Sequence, residues 1–296
     1  MTSTGRLRIA VQKSGRLAEL SLALIRRCGL RFARDQDHLA CSGENLPVDL
    51  ILVRDDDIPA LLADGTCDAG IAGLNLFEEH RLANPDGATF DVCRPLDFGV
   101  CRLAVAVPED AAVESLHRLN GCRVATSYPG LTRRYFERHG IEIAIVTMSG
   151  AVELAPRLGK ADAVCDLVST GVTLKAHGLR ELETVFASQA AFAVTRRELA
   201  TGQRELIEKL ARRMDGVLRV NGSKYIMLHA PRSALASIRR LLPGAESPTV
   251  LPLDGESGRV AVHAVCSESV FWETLENLKG AGASALLVLP IEKMLP

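Results

Sequence analysis

The sequence predicts an α/β protein in two parts, a two-lobed body followed by a smaller βαββαβ module. Two observations carry this. Apolar strand signals alternate with helical ones over residues 7–195, the pattern of sheets covered on both faces by helices. After Asn221-Gly222 the rhythm becomes strand–helix–strand–strand–helix–strand, from KYIMLHA (224–230) to SALLVLPI (284–291), which is the ferredoxin-like order.

Taken in order, LRIAVQ (7–12) reads as a buried strand. Leu17, Leu20, Leu24 and Cys28 then recur at helical spacing, with Gly29 as the residue that ends the helix. DLILVR (49–54) is a second strand. Asp57-Ile58-Pro59 places an N-cap and an early proline before a short helix that stops at Gly65. CDAGIAG (67–73), CRLAVAVP (101–108), CRVATS (122–127), EIAIVTM (142–148) and ADAVCDLV (161–168) continue the strands, with a helix over 131–139. One small sheet cannot hold so many, so LAVAVP reads as a crossing to a second lobe and FASQAAFAVT (186–195) as the return. Lobe I is then 1–103 with 185–215, lobe II is 104–184, and the module is 217–296. The helix at 203–219 carries Leu206, Ile207, Leu210, Met214, Val217 and Leu218 on one face.

Charge limits the partners. There are 35 basic and 36 acidic side chains, a net charge of −1, which argues against general nucleic-acid binding. Any anion site must be local. The eight cysteines form no C-x-x-C pair, and Cys67, Cys101 and Cys165 sit inside apolar runs, so reduced thiols and no zinc site are expected. No segment has the roughly 18 uninterrupted apolar residues of a membrane helix, and MTSTGRLRIAVQ lacks an apolar leader core. A cytoplasmic protein with no membrane contact is the expectation.

The chemistry gathers at strand ends, where open α/β sheets bind ligands. In VCDLVSTGVTLKAHG (164–178) a strand delivers a turn of small and hydroxyl residues to a helix start. Ser169, Thr170 and Thr173 offer hydroxyls, Gly171 permits close approach, and Val168 and Val172 flank them. The first N–H groups of a helix have no internal partner and favour anions. Plain capping by one hydroxyl is the alternative. Asp166 ends the strand, where it could face ribose hydroxyls or a metal, or simply cap the turn. Glu153, in MSGAVELAP, reads by itself as a surface charge at a helix start.

At VQKSGRLAE, Gln12, Lys13, Gly15 and Arg16 form a strand-to-helix corner suited to a pyrophosphate or triphosphate, or else a solvated loop. Arg54 in VRDDDIP could grip phosphate. Asp55, Asp56 and Asp57 could orient it, hold magnesium or cap a helix, with capping by Asp56 or Asp57 favoured. Asp68, Gly70 and Gly73 mark another strand–helix junction, and Tyr128-Pro129-Gly130-Leu131-Thr132-Arg133 a further hydroxyl-and-glycine corner. GAGASA (280–285) follows a helix and precedes a strand, the reverse of a dinucleotide fingerprint. No Walker A motif or G-x-S-x-G elbow occurs, so no nucleophile stands out.

In this order, LRIAVQKSGRL, DLILVRDDDIP, CDAGIAGLN, MSGAVELAP and CDLVSTGVTLKAHGL resemble the ATP phosphoribosyltransferases of histidine biosynthesis. KYIMLHAPRSAL and GAESPTVLPL resemble the regulatory domain of the long form of that family, a looser match at His229 and Ala230. The resemblance implies a catalytic body folded like the periplasmic solute-binding proteins, with the active site between the lobes, and an ACT-like C-terminal domain. It implies transfer of phosphoribose from phosphoribosyl pyrophosphate (PRPP) to N1 of the adenine of ATP. It further implies magnesium carried mainly on substrate phosphates, feedback inhibition by histidine, and a homohexamer in equilibrium with dimers.

Carried onto this chain, PRPP falls to Glu153, Asp166 and 168–173. ATP and pyrophosphate fall to Gln12, Lys13, Gly15, Arg16, Arg54, Asp68 and Gly73, and histidine to Glu246, Ser247, Thr249 and Ala285. The rival reading is a two-lobed sensor of a phosphorylated metabolite that does no chemistry.

Overall fold

The computed structural model describes residues 5–34, 38–85, 89–242, 248–255, 258–267 and 272–294. The chain divides into two compact units, Met1–Ile207 and Glu208–Pro296.

In the first unit β1 (Leu7–Gln12) leads into α1 (Arg16–Arg27). β2 (Ala40–Ser42) and β3 (Val48–Val53) follow, then a 3₁₀ turn at Asp55–Asp57 and α2 (Ile58–Ala63). β4 (Ala69–Gly73), α3 (Leu74–Ala83) and β5 (Phe90–Pro95) complete the outward run of lobe I. Lobe II comprises β6 (Cys101–Pro108), β7 (Arg123–Thr126), α4 (Pro129–Arg138), β8 (Ala144–Thr147), β9 (Ala163–Val168), α5 (Val172–Ala176) and β10 (Leu179–Ser188). β11 (Ala190–Thr195) returns to lobe I, before α6 (Thr201–Leu218). The strands form two sheets, ordered β2-β3-β1-β4-β11-β5 and β10-β6-β9-β7-β8.

The sheets are mixed rather than parallel. β1 pairs parallel with β3 and β4, and β7 with β8 and β9. The strands beside the crossings run antiparallel: β11 against β4 and β5, and β6 against β9 and β10. This moves the expected lobe boundaries. Leu103–Val107 is not a crossing but the buried middle of a central strand. The chain crosses at 96–100 and returns at Gln189, so all of β6 and β10 lie in lobe II. The apolar run looked like a connector because a strand buried on both faces lacks the two-residue alternation that marks a strand.

α6 buries Leu206, Ile207, Leu210, Met214 and Val217 of the face its spacing predicts, leaves Leu218 half-buried, and contains the boundary between the two units. The second unit contains β12 (Ser223–Pro231), α7 (Leu235–Leu241), β13 (Thr249–Pro252), β14 (Arg259–Ser267), α8 (Trp272–Gly280) and β15 (Ser284–Pro290). Its antiparallel sheet is ordered β13-β14-β12-β15, the predicted ferredoxin-like arrangement. Ile226, Leu228, Val260 and Val262 pack beneath Ile238 of α7 and Leu278 of α8. GAGASA is the end of α8 and the start of β15. No helix among the described residues is long and apolar enough to cross a membrane, and all eight cysteines are free thiols.

Candidate active site

The parallel strands bring their carboxyl ends to one rim in each lobe. In lobe I, Gln12 ends β1, Arg54 follows β3 and Gly73 ends β4, on three neighbouring strands. In lobe II, Ser169 follows β9, Ser127 follows β7 and Met148 follows β8. Tyr128 joins the rims. Burial raises the pKa of its hydroxyl most, the charges of Asp166 and Asp55 raise it further, and the nearby Asn75 amide of lobe I lowers it. A carboxylate from each lobe is therefore within electrostatic reach of one neutral phenol.

The loop after β9 keeps its donors uncommitted. Among the described residues the hydroxyls of Ser169, Thr170 and Thr173 make no hydrogen bond. Gly171 caps α5 without a side chain and sits at φ 80°, ψ 0°. That left-handed conformation, rather than close contact, is what requires glycine: an added Cβ would meet only Val168 Cγ1 at 3.9 Å. α5 has five residues, so its own dipole is small, and the N–H groups of Val172 and Thr173 have no partner inside so short a helix. The loop is tethered from outside. Arg102 of β6 donates through Nη1 to the Ser169 carbonyl at 3.2 Å. Its Nε and Nη2 hold both oxygens of Glu181 at 2.7 and 2.5 Å.

Two carboxylates adjoin the loop. Asp166 Oδ1 accepts the Leu167 N–H at 2.8 Å. Its pKa is raised, first by burial and then by the charge of Glu153. Glu153 follows Ala151, which is held at φ 51°, a conformation uncommon for alanine. The Nε2 atom of His177 lies 3.9 Å from Glu153 Oε1. Cys165, next to Asp166, is fully buried, and burial pushes its thiol up to about 12.

At the lobe I rim Lys13, Ser14, Gly15 and Arg16 are exposed, and α1 starts without a side-chain cap. Arg34 donates to the Lys13 carbonyl at 2.6 Å. Lys13, Ser14, Arg34, His38, Leu39 and Leu52 line a cavity of about 470 Å³. Arg54 is held by Asp56 in a two-pronged pair at 3.1 and 2.9 Å. Neither Asp56 nor Asp57 caps α2 through its side chain, contrary to the capping expected from sequence.

Three further expectations change. Asp68 precedes β4, at the opposite end of the strand from the rim, and is fully buried. It accepts from the Arg8 N–H at 2.8 Å and pairs with Arg197 at 2.5 Å, so it is a structural ion and not a phosphate ligand. Gly73 is on the rim, but the Asn75 side chain fills the space its Cβ would take. The corner at 128–133 already has an anion: Glu79 of α3 accepts the Gly130 and Leu131 N–H groups at 2.6 and 2.9 Å. An added Cβ at Gly130 would sit 3.0 Å from Glu79 Oε1, so glycine is needed for that approach.

In the second unit Thr249 opens β13 opposite His263, whose Nδ1 lies 2.6 Å from the Tyr225 hydroxyl. Ala285 has φ 48° because β15 bulges there: Ser284 pairs with His229 and Leu287 with Met227, leaving two residues opposite Leu228. Glu246 and Ser247 lie outside the described residues. Arg34, Glu79, Arg102, Glu181 and His177 were not singled out from sequence. Only His177, inside the 164–178 stretch, was within reach of a local reading.

Fold and site together define a class: a two-lobed α/β protein that collects its polar groups at the carboxyl ends of two sheets, with a ferredoxin-like module after it. Residues 54–216 match the family described as HisG, ATP phosphoribosyltransferase, and residues 221–293 match the HisG C-terminal domain. The chain belongs to the ATP phosphoribosyltransferase family, in its long form, and is a phosphoribosyltransferase of histidine biosynthesis.

A similar solved structure is the ATP phosphoribosyl transferase (HisG:HisZ) complex from Thermotoga maritima. It is 26% identical, with 71% of this chain and 98% of that one covered at a TM-score of 0.58. The alkanesulfonate-binding protein SsuA from Xanthomonas axonopodis pv. citri aligns at 19% identity over 81% of this chain and 78% of its own, with a TM-score of 0.44. A histidine kinase sensor domain similar to periplasmic binding proteins aligns at 15% identity over 71% of this chain and 89% of its own, with a TM-score of 0.46.

Proposed function

We propose that the protein transfers the 5-phosphoribosyl group of PRPP to N1 of the adenine of ATP, giving N1-(5-phospho-β-D-ribosyl)-ATP and pyrophosphate. The observation that carries this reading is the loop at 169–173: three unpaired hydroxyls and a left-handed glycine stand beside two carboxylates at the end of a parallel strand. The loop would take the 5′-phosphate. Asp166 and Glu153 would accept hydrogen bonds from the ribose hydroxyls, and these bonds would relieve the cost of keeping two neighbouring carboxylates ionised. Displacement at the anomeric carbon passes through an oxocarbenium-like state. The same two carboxylates would therefore stabilise the positive charge that develops on the sugar.

Lys13, Arg16, Arg34 and Arg54, on the lobe I rim, would offset the charge of the triphosphate and the departing pyrophosphate. Gln12 and the N–H groups at Gly15 would add donors. Adenine N1 carries no proton at neutral pH, so no general base is needed. Alignment of the two reactants would be the chief source of rate, worth roughly 7–11 kcal/mol in well-oriented cases.

Among the described residues no group of three His, Cys, Asp or Glu side chains is arranged to hold a metal ion. Magnesium would arrive on the substrate phosphate oxygens with one or two carboxylates nearby, of which Asp55, Asp166 and Glu153 are the candidates. When bound, the ion would supply charge neutralisation at the pyrophosphate. Feedback inhibition by histidine at the C-terminal domain belongs to the same reading and draws on the match to the HisG C-terminal domain; a cytoplasmic location and a hexamer built from dimers are part of it as well.

The test is direct. Protein, ATP, PRPP and magnesium should together release pyrophosphate and change the adenine absorbance. Binding of both substrates without product at high protein concentration would favour the sensor reading. Removing residues 217–296 should abolish inhibition by added histidine, and inhibition that persisted would refute the regulatory assignment.

A further inference from the structure

We propose that Arg102 and Glu181 form a positioning clamp that holds the loop at 169–173 in its phosphate-binding shape, an inference that rests on the PRPP assignment above. Arg102 is the second residue of β6, paired across the sheet with Val168, the last residue of β9. Its side chain passes the end of β9 and serves two neighbours. Nε and Nη2 are fixed on the Glu181 carboxylate of β10, on the other side of β6. Nη1 reaches the Ser169 carbonyl at 3.2 Å. Thr184 Oγ1 adds a bond to Glu181 Oε1 at 3.3 Å, so the carboxylate is held as well.

The geometry of the peptide bond makes this contact matter. In a trans peptide the C=O and the following N–H point in opposite directions in one rigid plane. Pinning the Ser169 carbonyl towards Arg102 therefore aims the Thr170 N–H the other way, away from β6. Gly171, at φ 80°, then turns the chain into α5. One guanidinium thus fixes the first donor of the cradle without touching a ligand. Arginine is required for this, because its planar fork leaves Nη1 directed once the carboxylate is gripped, whereas lysine is a single point of charge. A plain surface ion pair, the alternative, would contribute little and would be indifferent to the nature of the ligand.

The experiment measures PRPP affinity by calorimetry, KM for PRPP and for ATP, and the melting midpoint, all on the full chain. Arg102→Lys is expected to raise the Kd and KM for PRPP about tenfold, the effect of losing one charge-assisted hydrogen bond. KM for ATP should stay within about twofold and the midpoint should barely move. Glu181→Gln, which loosens the fork but keeps Nη1, should show a smaller rise confined to PRPP. The charge swap Arg102→Glu with Glu181→Arg should restore the ion pair but not PRPP affinity, since glutamate cannot donate to the Ser169 carbonyl. Wild-type affinity in Arg102→Lys, equal losses for PRPP and ATP, or rescue of PRPP binding by the swap would each overturn the clamp. Wild-type protein that does not bind PRPP would overturn the loop assignment and the clamp with it.

Discussion

Two corners of lobe II look alike in the sequence and differ in the structure. Tyr128-Pro129-Gly130-Leu131-Thr132 and Ser169-Thr170-Gly171-Val172-Thr173 both place a glycine and hydroxyls where a strand gives way to a helix. At the first, Glu79 from lobe I fills the helix start with its own carboxylate, and Gly130 is glycine so that it can approach. At the second, among the described residues, no protein carboxylate caps the helix and the hydroxyls are unpaired, and Gly171 is glycine because of its φ. The motif says that backbone donors are exposed; it does not say whether the protein supplies the anion itself. The first corner joins the lobes, and the second is left to a ligand.

Two aspartates repeat the contrast, and one gives the largest expected effect. Asp68, fully buried and paired with Arg197, is structural. Asp68→Asn should cost about 2–3 kcal/mol, the loss of charge-assisted hydrogen bonds to a buried carboxylate, since Arg197 is 46% exposed and stays hydrated when its partner goes. In a body of this size that lowers the melting midpoint by roughly 5–10 °C. Residual folded protein should bind PRPP normally, and a selective loss of phosphate binding would return Asp68 to the site.

Glu79→Ala should follow, at about 1–2 kcal/mol for a lost helix cap. Calorimetric unfolding would detect it. No loss of stability would mean that the contact between the lobes at α3 and α4 lies elsewhere.

Asp166→Asn should have the smallest effect on stability and the opposite sign. Because burial raises the Asp166 pKa above its unfolded value of about 3.9, its stabilising contribution is complete below that pH and is lost as pH rises through the folded value. At pH 7 the ionised carboxylate is a burden. The asparagine variant should melt slightly higher there, and the gain should vanish as pH falls towards 4. PRPP affinity should drop in the same variant, and a variant that is neither more stable nor weaker in binding would remove Asp166 from the site.

Much of this was legible in the sequence where the signal is local. The βαββαβ order, the amphipathic face of α6, and the turn at Gly171 each follow from residues adjacent in the chain. β10 was not fully read because LRELETVFAS is half exposed, with few of its side chains buried. Asp68 was misplaced because CDAGIAG reads as one strand, and its first two residues lie before β4. Arg102, Glu181 and Glu79 were invisible because their partners lie 51 to 79 residues away, and only the sheet order brings them together.

The central claim is that the loop after β9 holds the 5′-phosphate of PRPP, and its most direct test is the Kd of PRPP for Thr170→Ala and Gly171→Val, measured beside their melting midpoints. The account predicts affinities weakened by about tenfold or more, with the midpoint unchanged in Thr170→Ala and only modestly lowered in Gly171→Val, where a branched residue must adopt positive φ. Wild-type PRPP affinity in both variants would contradict it.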